Sequence, residues 1–393
     1  MAAVLKHWRE AATLILVAKS AKHISRPNIT EGQGTNVLDH DFNYRILMLK
    51  RSTKSKFMPS YSVFPGGMAH ESDFSSNWIG IFNSNDKLKE MSLSLDFLGH
   101  ITEHEGPAVP MFTRERDERF SVIPSELAFR ICAIRETFEE SGVLLAKKTE
   151  DLKSINKSHS PGAVVSIPEM TLASWRQRVD NDANEFLNMC RELSIVPNVW
   201  SLYEWSNWLT PVPSGSKTSG RRFDTAFFIC VLDNIPTAVH DAKETIASQW
   251  STPDEVIRNY SQSRIGVAPP QLFEISRLLN FHDVGKLEGY MWERSGDVIE
   301  RILPVAIHCD DGIIVVYPGD DLYPENPDVY GEKEPLSMKG TLKFVGRKSL
   351  KKCRLEIDVG TGNMAFICNT EFNGHVRPIT DWSSLELGAK ANL

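Results

Sequence analysis

Arg135-Glu136-Thr137-Phe138-Glu139-Glu140-Ser141-Gly142-Val143 is the stretch on which the reading of this chain turns. On a helix, Glu136 lies three and four residues from Glu139 and Glu140, so the three carboxylates project from one side. Like charges at that spacing cost stability in a bare helix, and something positive should compensate them. Arg135 adjoins the cluster, but one guanidinium does not neutralise three carboxylates. Carboxylate oxygens are hard donors of the kind Mg2+ or Mn2+ takes, which makes Glu136, Glu139 and Glu140 a candidate metal site. The alternative for an isolated E-x-x-E-E is an acidic face turned to solvent.

Working outward, the same helix starts near Pro124-Ser125, with Ser125 as N-cap. Leu127, Ile131, Ile134 and Phe138, spaced 4, 3 and 4 apart, form its apolar face. Gly142 suits the residue just past its end. Upstream, Ala11–Ala18 is a continuous, β-branched run that reads as a strand buried on both faces. Tyr44–Leu49 is a second strand, and Val63-Phe64-Pro65-Gly66-Gly67 is a strand collapsing into a turn. Residues 74–124 are Ser/Asn/Glu-rich with little periodicity, and are expected to lie outside the folded layers as an insertion.

Downstream, 171–193 reads as one helix and Thr225–Leu232 as another buried strand. Thr252-Pro253-Asp254-Glu255 is a capping box that opens a helix, and Gln271–Phe281 is helical. Beyond Gly285 short strands dominate, beginning with a hairpin of Leu303–Cys309 and Ile313–Tyr317 about Asp310-Asp311-Gly312. The expected division is therefore 1–282, an α/β domain, and 283–393, a β-rich extension.

Length and composition agree with this organisation. A chain of 393 residues exceeds the usual size of one domain, and 41% hydrophobic with 24% charged residues excludes a wholly disordered chain. A net charge of −7 argues against gripping nucleic acid by bulk electrostatics, and no stable nucleic-acid partner is expected. The six cysteines are scattered without a C-x-x-C pair, as reduced thiols are. No apolar run reaches the length of a membrane span.

The acidic helix, its glycine stop and an upstream strand ending in Pro65-Gly66-Gly67 together resemble the box of the Nudix hydrolases, G-x5-E-x7-R-E-U-x-E-E-x-G-U. Five residues separate Gly67 from Asp73, which stands where the box has Glu; 61 residues instead of seven then precede Arg135, and Thr137 replaces an apolar residue. The box is split by an insertion. In this it is similar to the peroxisomal coenzyme A diphosphatases of the nucleoside diphosphate-linked moiety X motif 19 type. Coenzyme A-cleaving members carry L-L-x-x-R-[SA]-x3-R-x3-G-x3-F-P-G-G before the box. Here the spacing from Arg51-Ser52 to Phe64-Pro65-Gly66-Gly67 is kept, with Lys56 for the second Arg and Ser60 for the Gly. Trp208-Leu209-Thr210-Pro211 and Arg221-Arg222-Phe223-Asp224-Thr225 also look like that group.

The resemblance implies an α/β/α sandwich with a mixed sheet, a long insertion in the box and a β-rich C-terminal extension. It implies metal-dependent hydrolysis with Mg2+ or Mn2+ on Glu136, Glu139 and Glu140, and Arg135 and Glu136 as catalytic residues. The substrates it implies are coenzyme A and acyl-coenzyme A, cut to adenosine 3′,5′-bisphosphate and (acyl-)4′-phosphopantetheine. Arg51, Lys54, Lys56, Arg221 and Arg222, with Gly66 and Gly67, suit the phosphate oxygens. For the lysines a solvated strand end is as good a reading, and for the arginine pair so is capping of the next strand. Trp200, Trp205 and Trp208 are core residues or a platform for adenine, and Glu244 is a candidate extra acid. Which acid replaces the first box Glu stays open. Two other functions also stay open: a diphosphatase for ADP-ribose, dinucleotides or capped RNA, and a Nudix module that binds a nucleotide without chemistry. Ala391-Asn392-Leu393 resembles a weak peroxisomal signal, which implies an import receptor as partner; otherwise the expected location is cytoplasmic or mitochondrial.

Overall fold

Arg9–Lys19 forms β1, an 11-residue strand around which the layers assemble. The computed structural model describes residues 8–20, 42–55, 58–82, 109–154, 162–212, 222–241, 243–295, 297, 299–371 and 374–383. In β1 the side chains alternate between two cores: Ala12, Leu14 and Leu16 enter one, Ile15 and Val17 the other. That is why the strand reads as a continuous apolar run. It is followed by β2 (Tyr44–Arg51), β3 (Tyr61–Val63), β4 (Gly66–Met68), β5 (Ala146–Lys148), β6 (Ile195–Pro197), β7 (Tyr203–Leu209), β8 (Phe223–Leu232), β9 (Thr245–Ser251), β10 (Gly266–Val267) and β11 (Arg301–Ile302).

The large sheet runs β10-β3-β2-β1-β8-β7-β11, with β4 also on β1 and β9 also on β2, while β5 and β6 pair with each other. β1 and β8 are parallel from Arg9↔Phe223 to Ala18↔Leu232. β1 and β2 are antiparallel only over Val17–Lys19 and then diverge. The chain from 61 to 68 fills the opening: β3 pairs with β2 at Leu49↔Val63, and β4 pairs with β1 at Ala12↔Gly67. The bend between them is fixed by Leu14 N–H donating to the Pro65 carbonyl at 2.9 Å. The Pro-Gly-Gly turn of the sequence is thus a strand crossing from one neighbour to the other.

One face of the sheet is covered by the helix Ser125–Ser141, whose Leu127, Ile131, Ile134 and Phe138 pack with Leu14, Leu16 and Phe228. The other face is covered by the helices Pro253–Ser261, Pro269–Leu278 and Val284–Glu293. This is the expected three-layer α/β/α sandwich with a mixed sheet. The Thr252 capping box is present in full. Pro124, not Ser125, occupies the N-cap of the long helix, and the Ser125 hydroxyl instead accepts from Arg116 Nε at 2.9 Å. The expected single helix over 171–193 is two, Glu169–Asn181 and Asn184–Glu192, broken where extended Asp182 accepts from the Asn184 N–H.

The ends of the 74–124 insertion are part of the packing rather than an excursion from it. Trp78 and Phe82 on one side, and Met111 and Phe112 on the other, lie in the same core as the acidic helix. Their helices, Trp78–Phe82 and Pro110–Thr113, span five and four residues, too short to show a helical period in sequence. Residues 83–108 lie outside the described residues.

The layers also continue past the expected division at 282. Val284, Leu287 and Met291 are buried in the second core, and β11 pairs with β7. A second sheet follows, built from β12 (Val305–His308), β13 (Gly312–Val316), β14 (Leu336–Ser337), β15 (Cys353–Asp358) and β16 (Met364–Cys368), in the order β14-β12-β13-β15-β16. β12 and β13 form the hairpin expected about Asp310-Asp311-Gly312. This sheet rests on the sandwich through Tyr317 and Phe366, whose rings lie 5.2 and 5.6 Å from that of Phe273.

Candidate active site

Gly67 is where the two halves of the split motif meet. It faces the acidic helix so closely that a Cβ there would lie 2.3 Å from Glu136 Oε2. Gly66 has φ +154°, and a Cβ on it would fall 2.5 Å from the Ala12 carbonyl oxygen. Its N–H donates to Glu140 Oε2 at 2.9 Å. Gly66 and Gly67 therefore let the strand approach two of the helix carboxylates. Gly142 closes the helix in the left-handed conformation, φ +73°, with its N–H donating to the Phe138 carbonyl.

Arg135 binds the group together. Its Nε and Nη2 donate to the two oxygens of Asp73 at 2.9 Å each, and Nη2 also reaches the Met68 carbonyl at 3.0 Å. Its Nη1 donates to Glu136 Oε1 at 2.9 Å and Glu139 Oε1 at 2.7 Å. Asp73 sits on the 3-10 turn Glu71–Phe74, where its Oδ2 also accepts the His70 N–H at 2.8 Å. The acid standing where the box has its first Glu is thus in place despite the insertion, as the bidentate partner of Arg135.

The electrostatics of the cluster follow from burial. Burial pushes the Glu136 carboxyl above its usual range; Arg135 opposes this, and Asp73 and Glu244 add to it. Burial takes Glu139 up to about 7 against the pull of Arg135. Glu140 is pushed well above its usual range by burial and by Glu136, with the Gly66 N–H and Arg51 opposing. Burial alone would lower Arg135, but the charges of Asp73 and Glu136 more than reverse that. Burial thus raises all three helix carboxyls, while one guanidinium, Arg135, is shared between Glu136 and Glu139.

Among the described residues no three acidic, imidazole or thiol side chains are gathered tightly enough to ligate an ion as they stand. Glu136 and Glu139 each give one oxygen to Arg135, and Glu140 gives one to Gly66, so each keeps a second oxygen. Three carboxylates, Glu140 buried and Glu136 and Glu139 half-buried, that have one guanidinium between two of them and hard oxygen donors remaining, fit a divalent cation.

The other residues singled out in the sequence divide into three sets. Arg51 lies at the edge of the cluster: Nε and Nη2 donate to Ser55 Oγ at 3.1 and 2.9 Å, and Nη2 is 3.8 Å from Glu244 Oε2. Glu244 is held there by Ser52 N–H donating to its carbonyl at 2.8 Å, and its side chain is largely exposed. Lys54 is exposed in the turn after Arg51. Lys56, Arg221 and the Ala391-Asn392-Leu393 tail lie outside the described residues.

Arg222 and the tryptophans are not brought to the acids. Arg222 is buried, with Nε and Nη1 donating to the carbonyls of Thr210 and Val329 at 2.9 and 2.8 Å. Two of its donors are spent on backbone, so it braces the start of β8 and does not offer a fork to phosphate. Trp205 and Trp208 are buried, and both indole N–H groups donate to Glu274, at 2.6 and 2.7 Å. With Trp200 also in the core, no adenine platform forms from the three.

Two contributions carried no signal in the sequence. Arg176 Nε donates to the Glu139 carbonyl at 2.8 Å, placing a cation at the C-terminal turn of the acidic helix. Arg114 and Arg116, from the returning end of the insertion, both bind Glu10, and Arg114 also reaches Asp224 at 2.8 Å.

The profile of the NUDT19 Nudix domain matches residues 8–278, and that of the NUDT19 C-terminal domain matches residues 306–359. A Xenopus laevis protein named acyl-coenzyme A diphosphatase NUDT19 is 40% identical over 378 residues, covering 96% of this chain and 97% of its own length. Proteins of the same name from Gallus gallus and Homo sapiens are 39% and 35% identical, over 84% and 82% of this chain and 83% and 82% of their own. A solved Nudix hydrolase from Alicyclobacillus acidocaldarius aligns over 73% of this chain and 97% of its own, with a TM-score of 0.46 and 17% identity. Nudix hydrolases generally require a divalent metal ion, in keeping with the carboxylates on the Ser125–Ser141 helix. On the extent of these matches, the chain belongs to the NUDT19 family of Nudix hydrolases.

Proposed function

We propose that this chain hydrolyses the diphosphate bond of coenzyme A and acyl-coenzyme A, releasing adenosine 3′,5′-bisphosphate and (acyl-)4′-phosphopantetheine. The observation that carries this is its likeness, over nearly the whole length of both chains, to a relative named acyl-coenzyme A diphosphatase. Glu136, Glu139 and Glu140 would hold Mg2+ or Mn2+ through the oxygens not given to Arg135 and Gly66. Such an ion supplies neutralisation of the diphosphate charge and acidifies bound water.

The chain's own residues account for the rest. Arg135, saturated by Asp73, Glu136, Glu139 and the Met68 carbonyl, acts as a positioning residue that fixes how the acids are presented. Glu136, the acid turned toward Gly67, also orients the attacking water and takes up its proton. Arg51, whose charge is felt at Glu140, neutralises the diphosphate oxygens, with Lys54 and Lys56 adding charge without a bidentate fork. Peroxisomal import and its receptor belong to the same proposal and rest on Ala391-Asn392-Leu393. A fluorescent fusion of the last ten residues, scored against a peroxisomal marker, tests that part.

The activity is tested by incubating the purified chain and Mg2+ with coenzyme A, ADP-ribose, NADH and capped RNA. The expected result is fastest turnover of coenzyme A with the two named products. Faster cleavage of ADP-ribose, or no turnover of any substrate, overturns the proposal. Glu139→Gln and Glu140→Gln should each lower kcat by about 100-fold, roughly 3 kcal/mol of barrier, at saturating Mg2+. Near wild-type turnover by both would remove the metal assignment and leave the substrate assignment standing.

A further inference from the structure

The six cysteines are dispersed in sequence and all are free thiols, yet the last sheet brings two of them together. Cys353 in β15 stands directly opposite Cys368 in β16, with the sulfurs 3.3 Å apart. The kind of pairing matters. Asn369 N–H donates to the Lys352 carbonyl, so the neighbouring pair is the hydrogen-bonded one. Cys353 N–H and Cys368 N–H point outward, to Asp320 and Thr380. Cys353 and Cys368 therefore form a non-hydrogen-bonded antiparallel pair, the type with the closer Cα atoms, at about 4.5 Å. That spacing lies within the range a disulfide spans, roughly 4.4–6.8 Å.

We propose that Cys353 and Cys368 are a reversible oxidation site, closing to a cross-strand disulfide on exposure to a peroxide. Cys368 is the attacking sulfur. It lies on the outermost strand of the sheet and is 9% exposed, whereas Cys353 is fully buried. Contact with Cys353 also draws the Cys368 thiol below its usual range, while the same contact and burial hold Cys353 well above. The Cys368 thiolate attacks the O–O bond and takes one oxygen as sulfenic acid; the departing hydroxide is protonated to water. Cys353 then gives up its proton and attacks Cys368 Sγ, expelling the hydroxyl as a second water. The two sulfurs lose two electrons in all, and the peroxide gains them. The product ties β16, and with it Phe366 against Phe273, covalently to the sheet that rests on the sandwich.

The test uses the intact folded chain. It is treated with hydrogen peroxide at neutral pH, quenched, unfolded in the presence of an alkylating agent and analysed by mass spectrometry. The expected result is that two of the six thiols escape alkylation. A cross-linked peptide should join Cys353 to Cys368 with a loss of about 2 Da, reversed by dithiothreitol. Cys353→Ser should trap Cys368 as a sulfenic acid, read by dimedone labelling. If all six thiols still alkylate at a dose that oxidises the chain's exposed methionines, or if the bridge joins other cysteines, the proposal is overturned. The wild-type measurement decides the matter even where a variant fails to fold.

Discussion

Both oxygens of Asp73 accept from the same guanidinium, Arg135 Nε and Nη2, and both residues are almost wholly withdrawn from solvent. Removing Asp73 takes away the bidentate partner and leaves Arg135 with Glu136 and Glu139, at a cost of about 1.5–3 kcal/mol, the range for hydrogen bonds to a charged group. Asp73→Ala is expected to lose that much in urea unfolding. Arg135, released from Asp73, would also bind its own helix carboxylates more tightly, raising the Mg2+ concentration for half-activation by about 10–100-fold. Gly67→Ala separates site from fold in the opposite way. The atom its Cβ would meet is the end of the flexible Glu136 side chain, which can swing aside. Stability should change by less than about 1 kcal/mol, because nothing in the backbone must move. Activity should fall by about 100-fold, because Glu136 no longer lies against the strand. Equal losses in stability and activity would show that Gly67 serves the fold alone.

At the scale of elements, Arg116 links three pieces that lie far apart in sequence. Its Nη1 and Nη2 donate to the two oxygens of Glu10 in β1, at 2.6 and 2.8 Å. Its Nε donates to Ser125 Oγ in the first turn of the acidic helix. Its guanidinium lies 4.7 Å from the ring of Phe74, on the turn that carries Asp73. Arg116→Ala should cost about 1.5–3 kcal/mol, the range for hydrogen bonds to a charged group, since Glu10 then keeps only Arg114. Arg116→Lys should recover only part of that, since an ammonium lacks the fork and stacks poorly on the ring. Full recovery by lysine would mean that charge alone matters. None of this linkage was legible in sequence, because Glu10, Arg114, Arg116 and Asp224 are single charges with no period or spacing to connect them. β1 and the long helix were legible for the contrary reason: a continuous apolar run and a 3.6-residue apolar pattern state which faces are buried, and Gly142 states where the helix stops. Arg222 shows a further limit. An arginine before a strand gives the same signal whether its donors meet phosphate or, as here, two backbone carbonyls.

Across the whole molecule, the segment after β16 returns to the sandwich and is laid along the helix Pro269–Leu278. Arg277 Nε donates to the Val376 carbonyl, Asn280 Nδ2 to the Arg377 carbonyl, and Ile379 N–H to the Ser276 carbonyl. His375 enters this seam and is buried, with Nε2 3.0 Å from the Glu300 carbonyl oxygen. A carbonyl can only accept, so Nε2 carries the proton of a neutral imidazole. The charged groups facing it are Arg277, which is paired to Glu274, and Arg294, which donates to the Trp205 carbonyl. Burial, then Arg277 and Arg294, hold the His375 pKa well below its ordinary 6.5. In the unfolded chain the same imidazole takes up a proton near pH 6.5, about its unperturbed value. Above that pH neither state is protonated and the contribution to stability is complete. As the pH falls below it, only the unfolded chain binds the proton, and stability drops by up to about 1.4 kcal/mol per pH unit until the folded pKa is reached. Urea unfolding at pH 7.5, 6.5 and 5.5 measures this, and His375→Gln isolates it. An amide can still donate to the Glu300 carbonyl but does not titrate, and the remaining groups cancel in the comparison. The wild type should therefore lose more stability than His375→Gln between pH 6.5 and 5.5, and the two should run parallel between pH 7.5 and 6.5. Parallel behaviour over the whole range would mean that His375 is protonated without cost in the folded chain, and that the two arginines do not act on it.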